Sequence, residues 1–190
     1  MKEYYGRTSS VFQRLDPSLF ALENARKRFK DYPDIKDLPT ICIFGFPNVG
    51  KTTLLNQLTG SKAKIAAYAF TTKGINAGYL VVDGKKIQLL DVPGTLARKE
   101  KRNFIEQIAY AALKIAEAVI YVFDPTESYP LADQEALRKT IETDKKIFSY
   151  ASKTDLIDEE QWKVIKKKYR CLSSDELLQE IQRLETAPRS

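Results

Sequence analysis

The chain has 190 residues, 43% hydrophobic and 11% aromatic, which suits a packed globular domain and excludes a disordered chain. Its 31 basic and 25 acidic residues leave a net charge of +6, which favours an anionic partner without naming one. Histidine is absent, which removes the usual general base and metal ligand, and the two cysteines, Cys42 and Cys171, read as reduced, buried thiols.

No run of 18 apolar residues occurs, and MKEYYGRTSS lacks an apolar signal core, so a soluble, cytoplasmic protein without membrane contact is expected. Residues 16–30 set Leu19, Leu22, Ala25 and Phe29 behind Asp16 and Pro17, a helix start. The two prolines of DYPDIKDLPT then mark a linker, dividing the chain into an N-terminal helix and linker, 1–38, and a nucleotide domain, 39–190.

The run TICIFG (40–45) predicts a strand, and GFPNVGKTT (45–53) follows it with the spacing G-x-x-x-x-G-K-T. In that context, strand before and helix (51–59) after, the pattern is a phosphate loop: backbone N–H groups cradle phosphates at a helix N-terminus. Asn48, Val49, Gly50, Lys51, Thr52 and Thr53 are its nucleotide-contacting residues, Lys51 reaching the outer phosphates and the Thr52 hydroxyl placed for Mg²⁺. In AYAFTTKGINAG (67–78), Thr72 or its neighbour Thr71 is a loop threonine able to reach Mg²⁺ only when the terminal phosphate is present.

Residues 76–92 read as two strands around Asp83-Gly84, a hairpin signal. DVPG (91–94) ends the second: Asp91 is expected in the Mg²⁺ shell, and Gly94 offers an N–H to a terminal phosphate. A helix over about 102–117 follows, with Phe104, Ile108, Ala111, Ala112 and Ile115 as its apolar stripe. The remaining elements are a buried strand (118–124), a helix (131–143), a strand (145–152), a helix (158–168), the short strand YRCLS and a final helix led by Ser174 or Asp175. Buried strands alternating with helices predict an α/β fold, a doubly wound, mostly parallel sheet with one antiparallel edge hairpin.

SKTD (152–155) follows a buried strand, and Asp155 there can accept from both N1–H and the N2 amino group of guanine. Adenine lacks N1–H, so guanine is the expected base, with the Lys153 stem along it. Asp155 thereby argues against an ATP-dependent kinase or motor. The basic clusters 25–30, 97–102 and 163–170 read singly as solvated helix faces; together, beside a nucleotide site, they admit RNA contact.

These motifs resemble the P-loop GTPases of the Ras-like, translation-factor class. AYAFTTKGINAG is similar to the Obg-related branch, whose loop reads Y-x-F-T-T; RNFIEQIAYAALK (102–114), DPTESYPLADQEAL (124–137) and residues 6–35 resemble the Nog-type nucleolar GTP-binding proteins and their archaeal relatives. The resemblance runs from about residue 6 to 178. It implies a Ras-like G domain that binds GTP or GDP with Mg²⁺ and hydrolyses GTP as a switch. It also implies work on the large ribosomal subunit or its rRNA during assembly, and Asn48 as a candidate K⁺ ligand; a monomer is expected. The alternatives are a guanine-nucleotide-binding RNA module and a GTP switch unrelated to the ribosome.

Three departures from the resemblance carry expectations of their own. Ser152 stands where relatives have asparagine, which implies the loss of one base and phosphate-loop hydrogen bond. CLSSDEL replaces a serine-alanine pair in a longer loop, so Ser173 and Ser174 are the expected guanine-contacting segment. Thr95 and Leu96 stand where Ras-like enzymes put a water-orienting glutamine, and Arg98 and Arg102 read as exposed helix charges, so hydrolysis is expected to be slow. Only the last helix of the Nog-type N-terminal domain is represented, and the C-terminal extensions are missing, which suggests a minimal form or a G-domain fragment.

Overall fold

The computed structural model describes residues 15–24, 26, 35–60, 75–95, 104–126, 128–141 and 145–186. Helix α1 spans 15–24, inside the N-terminal helix expected from sequence apart from its first residue, and it presents Leu19, Phe20 and Leu22 to solvent.

Six strands form one sheet: β1 (Thr40–Phe44), β2 (Asn76–Val82), β3 (Lys85–Asp91), β4 (Ala118–Phe123), β5 (Lys146–Ala151) and β6 (Cys171–Leu172). Their order is β2-β3-β1-β4-β5-β6, with only the β2–β3 pair antiparallel. The expected α/β fold and edge hairpin are therefore present. Every residue of β1 and β4 is buried, as their unbroken apolar runs require of central parallel strands. The hairpin turns at Asp83 and Gly84, both at positive φ (49° and 79°), the twist that a two-residue turn needs.

Five further helices flank the sheet: α2 (Lys51–Thr59), α3 (Phe104–Ile115), α4 (Leu131–Thr140), α5 (Glu159–Tyr169) and α6 (Ser174–Thr186). Strand register separates the faces. Phe44 is level with Tyr121, and on their side Phe44 meets Tyr110 of α3, Tyr121 donates to the Gln134 carbonyl of α4, and Phe123 packs on Tyr169 of α5. Ile41, Leu89 and Gly78 share the other side, where Leu55 of α2 lies against Gly78 and α6 brings Ile181 and Leu184 beside Ile41. The doubly wound arrangement follows.

Two expectations are corrected. Of the expected stripe of α3, Ala112 is buried and Ile108 packs half-buried on the core, Ala111 is exposed and Ile115 is 52% exposed, and the side chain of Phe104 lies outside what is described; Ala109 and Leu113, continued by Ala116, complete the buried face. The final helix is led by Ser173 rather than by Ser174 or Asp175. The Glu176 N–H donates to Ser173 Oγ at 3.3 Å and the Ser173 N–H to Glu176 Oε2 at 2.7 Å, a reciprocal capping box.

Candidate functional site

The carboxyl ends of β1, β3, β4 and β5 carry the loops that sequence singled out, in the crevice where open parallel sheets take ligands. Gly45 leaves β1 at φ 153°, and a Cβ there would stand 2.7 Å from the Val122 carbonyl oxygen of β4, so only glycine lets the loop start so close to its neighbour. Asn48 is left-handed (φ 59°) and exposed, Val49 is fully buried, and Gly50 at φ 87° hands the chain to α2. Lys51 folds back over this loop: its ammonium donates to the Phe46 carbonyl at 2.6 Å and the Gly45 carbonyl at 3.4 Å. At 7% exposure, burial lowers the Lys51 pKa to about 8, against the opposing pull of Asp91.

Thr52 and Thr53 open α2 facing solvent. Thr52 Oγ1 donates to Asp91 Oδ2 at 2.5 Å, and Asn76 Nδ2 donates to the same oxygen at 3.0 Å. Hydroxyl and carboxylate, 39 positions apart in sequence, are thus joined at the mouth of the loop. This pair fits magnesium of the kind held by one or two protein oxygens with phosphate and water completing the shell. Among the described residues no cluster of three or more acidic or sulfur ligands offers an all-protein cage. Gly94 meets the phosphate loop from above: a Cβ on it would lie 2.4 Å from Pro47 N and Cα, and the next residue's N–H, Thr95, donates to the Gly45 carbonyl at 3.3 Å. Thr95 is buried, with a hydroxyl that has no hydrogen-bond partner.

On the far side, Ser152 Oγ donates to the Val49 carbonyl at 2.7 Å, with the Phe123 carbonyl also near at 3.1 Å. The loop bond expected to be lost with asparagine is therefore made by the serine. The single hydroxyl proton is engaged by carbonyls, so Ser152 has none left to donate to a base. Lys153 is left-handed (φ 52°), and Asp155 follows it on an exposed 3₁₀ turn, Thr154–Leu156. Ser173 has its hydroxyl in the α6 cap, and Ser174 Oγ lies 3.4 Å from the Tyr150 hydroxyl at the end of β5, so both serines sit beside the strand that leads into SKTD.

Sequence reasoning missed Asp124 and Gln134. Asp124 is fully buried, and Lys153 donates to its Oδ2 at 2.5 Å. Burial raises its pKa, but hydrogen bonds from Lys153 and Thr126 outweigh that and leave it below the usual carboxylate range. Gln134, also fully buried, brackets the Asp124 backbone, accepting from its N–H at 2.8 Å and donating to its carbonyl at 2.9 Å. An aspartate ending an all-apolar strand was the available signal. Thr71, Thr72, Leu96, Arg98, Arg102, the basic cluster 97–102 and, apart from Arg26, the cluster 25–30 lie outside the described residues.

Residues 40–153 match the family described as 50S ribosome-binding GTPases. The chain belongs to that family. It is 42% identical over 168 residues to an uncharacterized protein of Methanocaldococcus jannaschii, an alignment covering 85% of this chain and 47% of that one. It is 36% identical over 173 residues to nucleolar GTP-binding protein 1 of Arabidopsis thaliana, covering 84% and 26%. Among solved structures, Aquifex aeolicus Era bound to GDP·AlF₄⁻ is similar with a TM-score of 0.57 and 26% identity, over 80% of this chain and 57% of that one. Era in complex with MgGDPNP and a segment of 16S ribosomal RNA gives 0.58 and 27%, over the same shares. The chain thus spans about half the length of the archaeal relative and about a quarter of the plant one.

The match of this 50S ribosome-binding GTPase family begins at Thr40, where β1 begins, and ends at Lys153, inside SKTD. Ser173 and Ser174 fall beyond it.

Proposed function

We propose that this chain binds GTP and GDP and hydrolyses GTP slowly with magnesium, its nucleotide state serving as a switch in assembly of the large ribosomal subunit. One observation carries the reading: DVPG and SKTD both close on the phosphate loop, Thr52 meeting Asp91 at 2.5 Å and Val49 meeting Ser152 at 2.7 Å. The residues assigned here to phosphate, metal and base are thereby linked in one unit. The ribosomal part rests on the family description and on the nucleolar GTP-binding relatives.

In this reading residues 39–190 are the nucleotide domain and 1–38 an N-terminal helix and linker. The amides of residues 48–53 cradle the phosphates, and Lys51 exchanges the Phe46 and Gly45 carbonyls for phosphate oxygens. Thr52 and Asp91, with Thr72, would hold the magnesium, and Thr72 would be released once the terminal phosphate has left. When bound, that ion neutralises charge building on the transferring phosphoryl group. Gly94 donates its N–H to the terminal phosphate, and Asn48 is the candidate K⁺ ligand. Asp155 accepts from guanine, with Ser152, Lys153, Ser173 and Ser174 around the base. Thr95 is too short to hold the attacking water as a glutamine amide does, so the intrinsic rate is set at about 10⁻³ s⁻¹ or below. Among the described residues no helix is long and apolar enough to cross a membrane.

The test is a titration with fluorescent GDP and a GTP analogue, competed by ATP, in potassium and then in sodium buffer, followed by cosedimentation with large ribosomal subunits in each nucleotide state. Guanine-only binding and nucleotide-dependent cosedimentation are expected. Equal competition by ATP would overturn the guanine site, and ribosome binding indifferent to nucleotide would overturn the switch.

A further inference from the structure

The base-reading turn has little of its own to hold it. Asp155 lies on a single exposed 3₁₀ turn, and the residue before that turn, Lys153, sits in a left-handed conformation costly for a side chain with a Cβ. Such a conformation persists only where the surroundings over-determine it. The surroundings here are Asp124. Its Oδ2 takes the Lys153 ammonium at 2.5 Å, and its Oδ1 takes the Thr126 hydroxyl at 2.6 Å and N–H at 2.9 Å. Its backbone is gripped on both sides by the Gln134 amide, whose Nε2 also donates to the Tyr129 carbonyl at 2.8 Å. Lys153 is therefore tied to a carboxylate that is itself fixed through side chain and backbone.

We propose that Asp124 is a positioning residue for base recognition: by clamping Lys153 it fixes the turn that presents Asp155, and so sets the preference for guanine over adenine. The inference rests on the guanine reading of SKTD given above. The two ends of the ion pair differ in a way that suits the role. Asp124 is fully buried while the Lys153 side chain is 32% exposed, so the acid is the anchor and the lysine the part facing the ligand crevice. A buried pair adds little to stability relative to apolar replacements, and geometry is what it supplies.

The experiment measures the ratio of GDP to ATP affinity by competition against fluorescent GDP, for the full chain and for D124N, K153Q and the double variant. D124N keeps an acceptor for Thr126 and places no uncompensated charge in the core, so it is the primary probe. K153Q removes the cation from the other end. The expected result is an about tenfold weaker GDP affinity in D124N with the weak ATP affinity unchanged. K153Q is expected to match it, and the double variant to be no worse than either single, the mark of a coupled pair. An unchanged ratio in D124N, whether both affinities hold or both fall together, would show a structural role only and overturn the proposal. Additive losses in the double variant would overturn it as well. A wild-type chain that takes ATP as readily as GDP would instead sink the guanine reading, and this inference with it.

Discussion

Gly94 approaches the Pro47 backbone so closely that a methyl group on it would come within 2.4 Å of the proline nitrogen and Cα. Neither neighbour is a side chain that can swing aside. G94A is therefore expected to push DVPG off the phosphate loop, destabilising the fold by about 1–3 kcal/mol. The stability loss is read as a lower melting temperature. GTP hydrolysis should fall by more than stability alone explains, because the displaced segment carries Asp91 and the N–H assigned to the terminal phosphate.

Lys51 gives nucleotide binding a pH dependence with a definite sign. Its pKa of about 8 is set by burial, and a bound phosphate would raise it by supplying the missing anion. Affinity should then be full below pH 8 and fall above it, by up to about tenfold per pH unit, until the pKa of the bound form is reached. Calorimetric titrations at about pH 8.5 in two buffers of different ionisation enthalpy should show proton uptake on binding. With histidine absent from the chain, that uptake has no histidine to come from.

Ser152 is the strut between SKTD, the proposed base loop, and the phosphate loop. S152A removes the 2.7 Å bond to the Val49 carbonyl and is expected to cost about 1 kcal/mol. Stopped-flow release of fluorescent GDP should accelerate about fivefold, which matches that energy. Release at the wild-type rate would mean that the strut does not retain nucleotide.

In the proposed reading Asp155 selects guanine by accepting from it. D155N replaces an acceptor with an amide that also donates, which suits the C2 carbonyl of xanthine. GDP affinity should drop by about a hundredfold or more and XDP should become the better ligand. Competition between the two diphosphates measures it directly. Loss of both together would point to a collapsed turn and not to altered reading.

Much of this was legible because local chemistry and global packing agree. Helix α2 runs from Lys51 to Thr59, the bounds expected, since a phosphate-loop glycine starts it and Gly60 ends it. The β2–β3 hairpin turned where Asp83-Gly84 demanded. Helix α3 misled because its alanines make two plausible apolar stripes. The small residues Ala109, Ala112 and Ala116 let the helix approach the sheet, and the larger Ile115 is left outside. The α6 cap was misplaced by one residue because three consecutive candidates, Ser173, Ser174 and Asp175, share the chemistry; only the reciprocal bond with Glu176 selects among them. Asp124 and Gln134 were missed for another reason. The role of Asp124 lies in a partner, Lys153, 29 residues away, and that of Gln134 in the Asp124 backbone, and no spacing rule links them.

The Ser152–Val49 bond also bears on how the molecule comes to be folded. It joins residues 103 positions apart, and between them β3, β4 and β5 must each find a partner in the sheet. Contacts of such long range form late and slowly. During synthesis the phosphate loop would leave the ribosome long before its lock, so a half-made chain has the cradle without the clasp. Guanine nucleotide would then bind tightly only to a finished sheet and stabilise it by mass action, making the cell's supply of GTP and GDP a folding ligand for this protein.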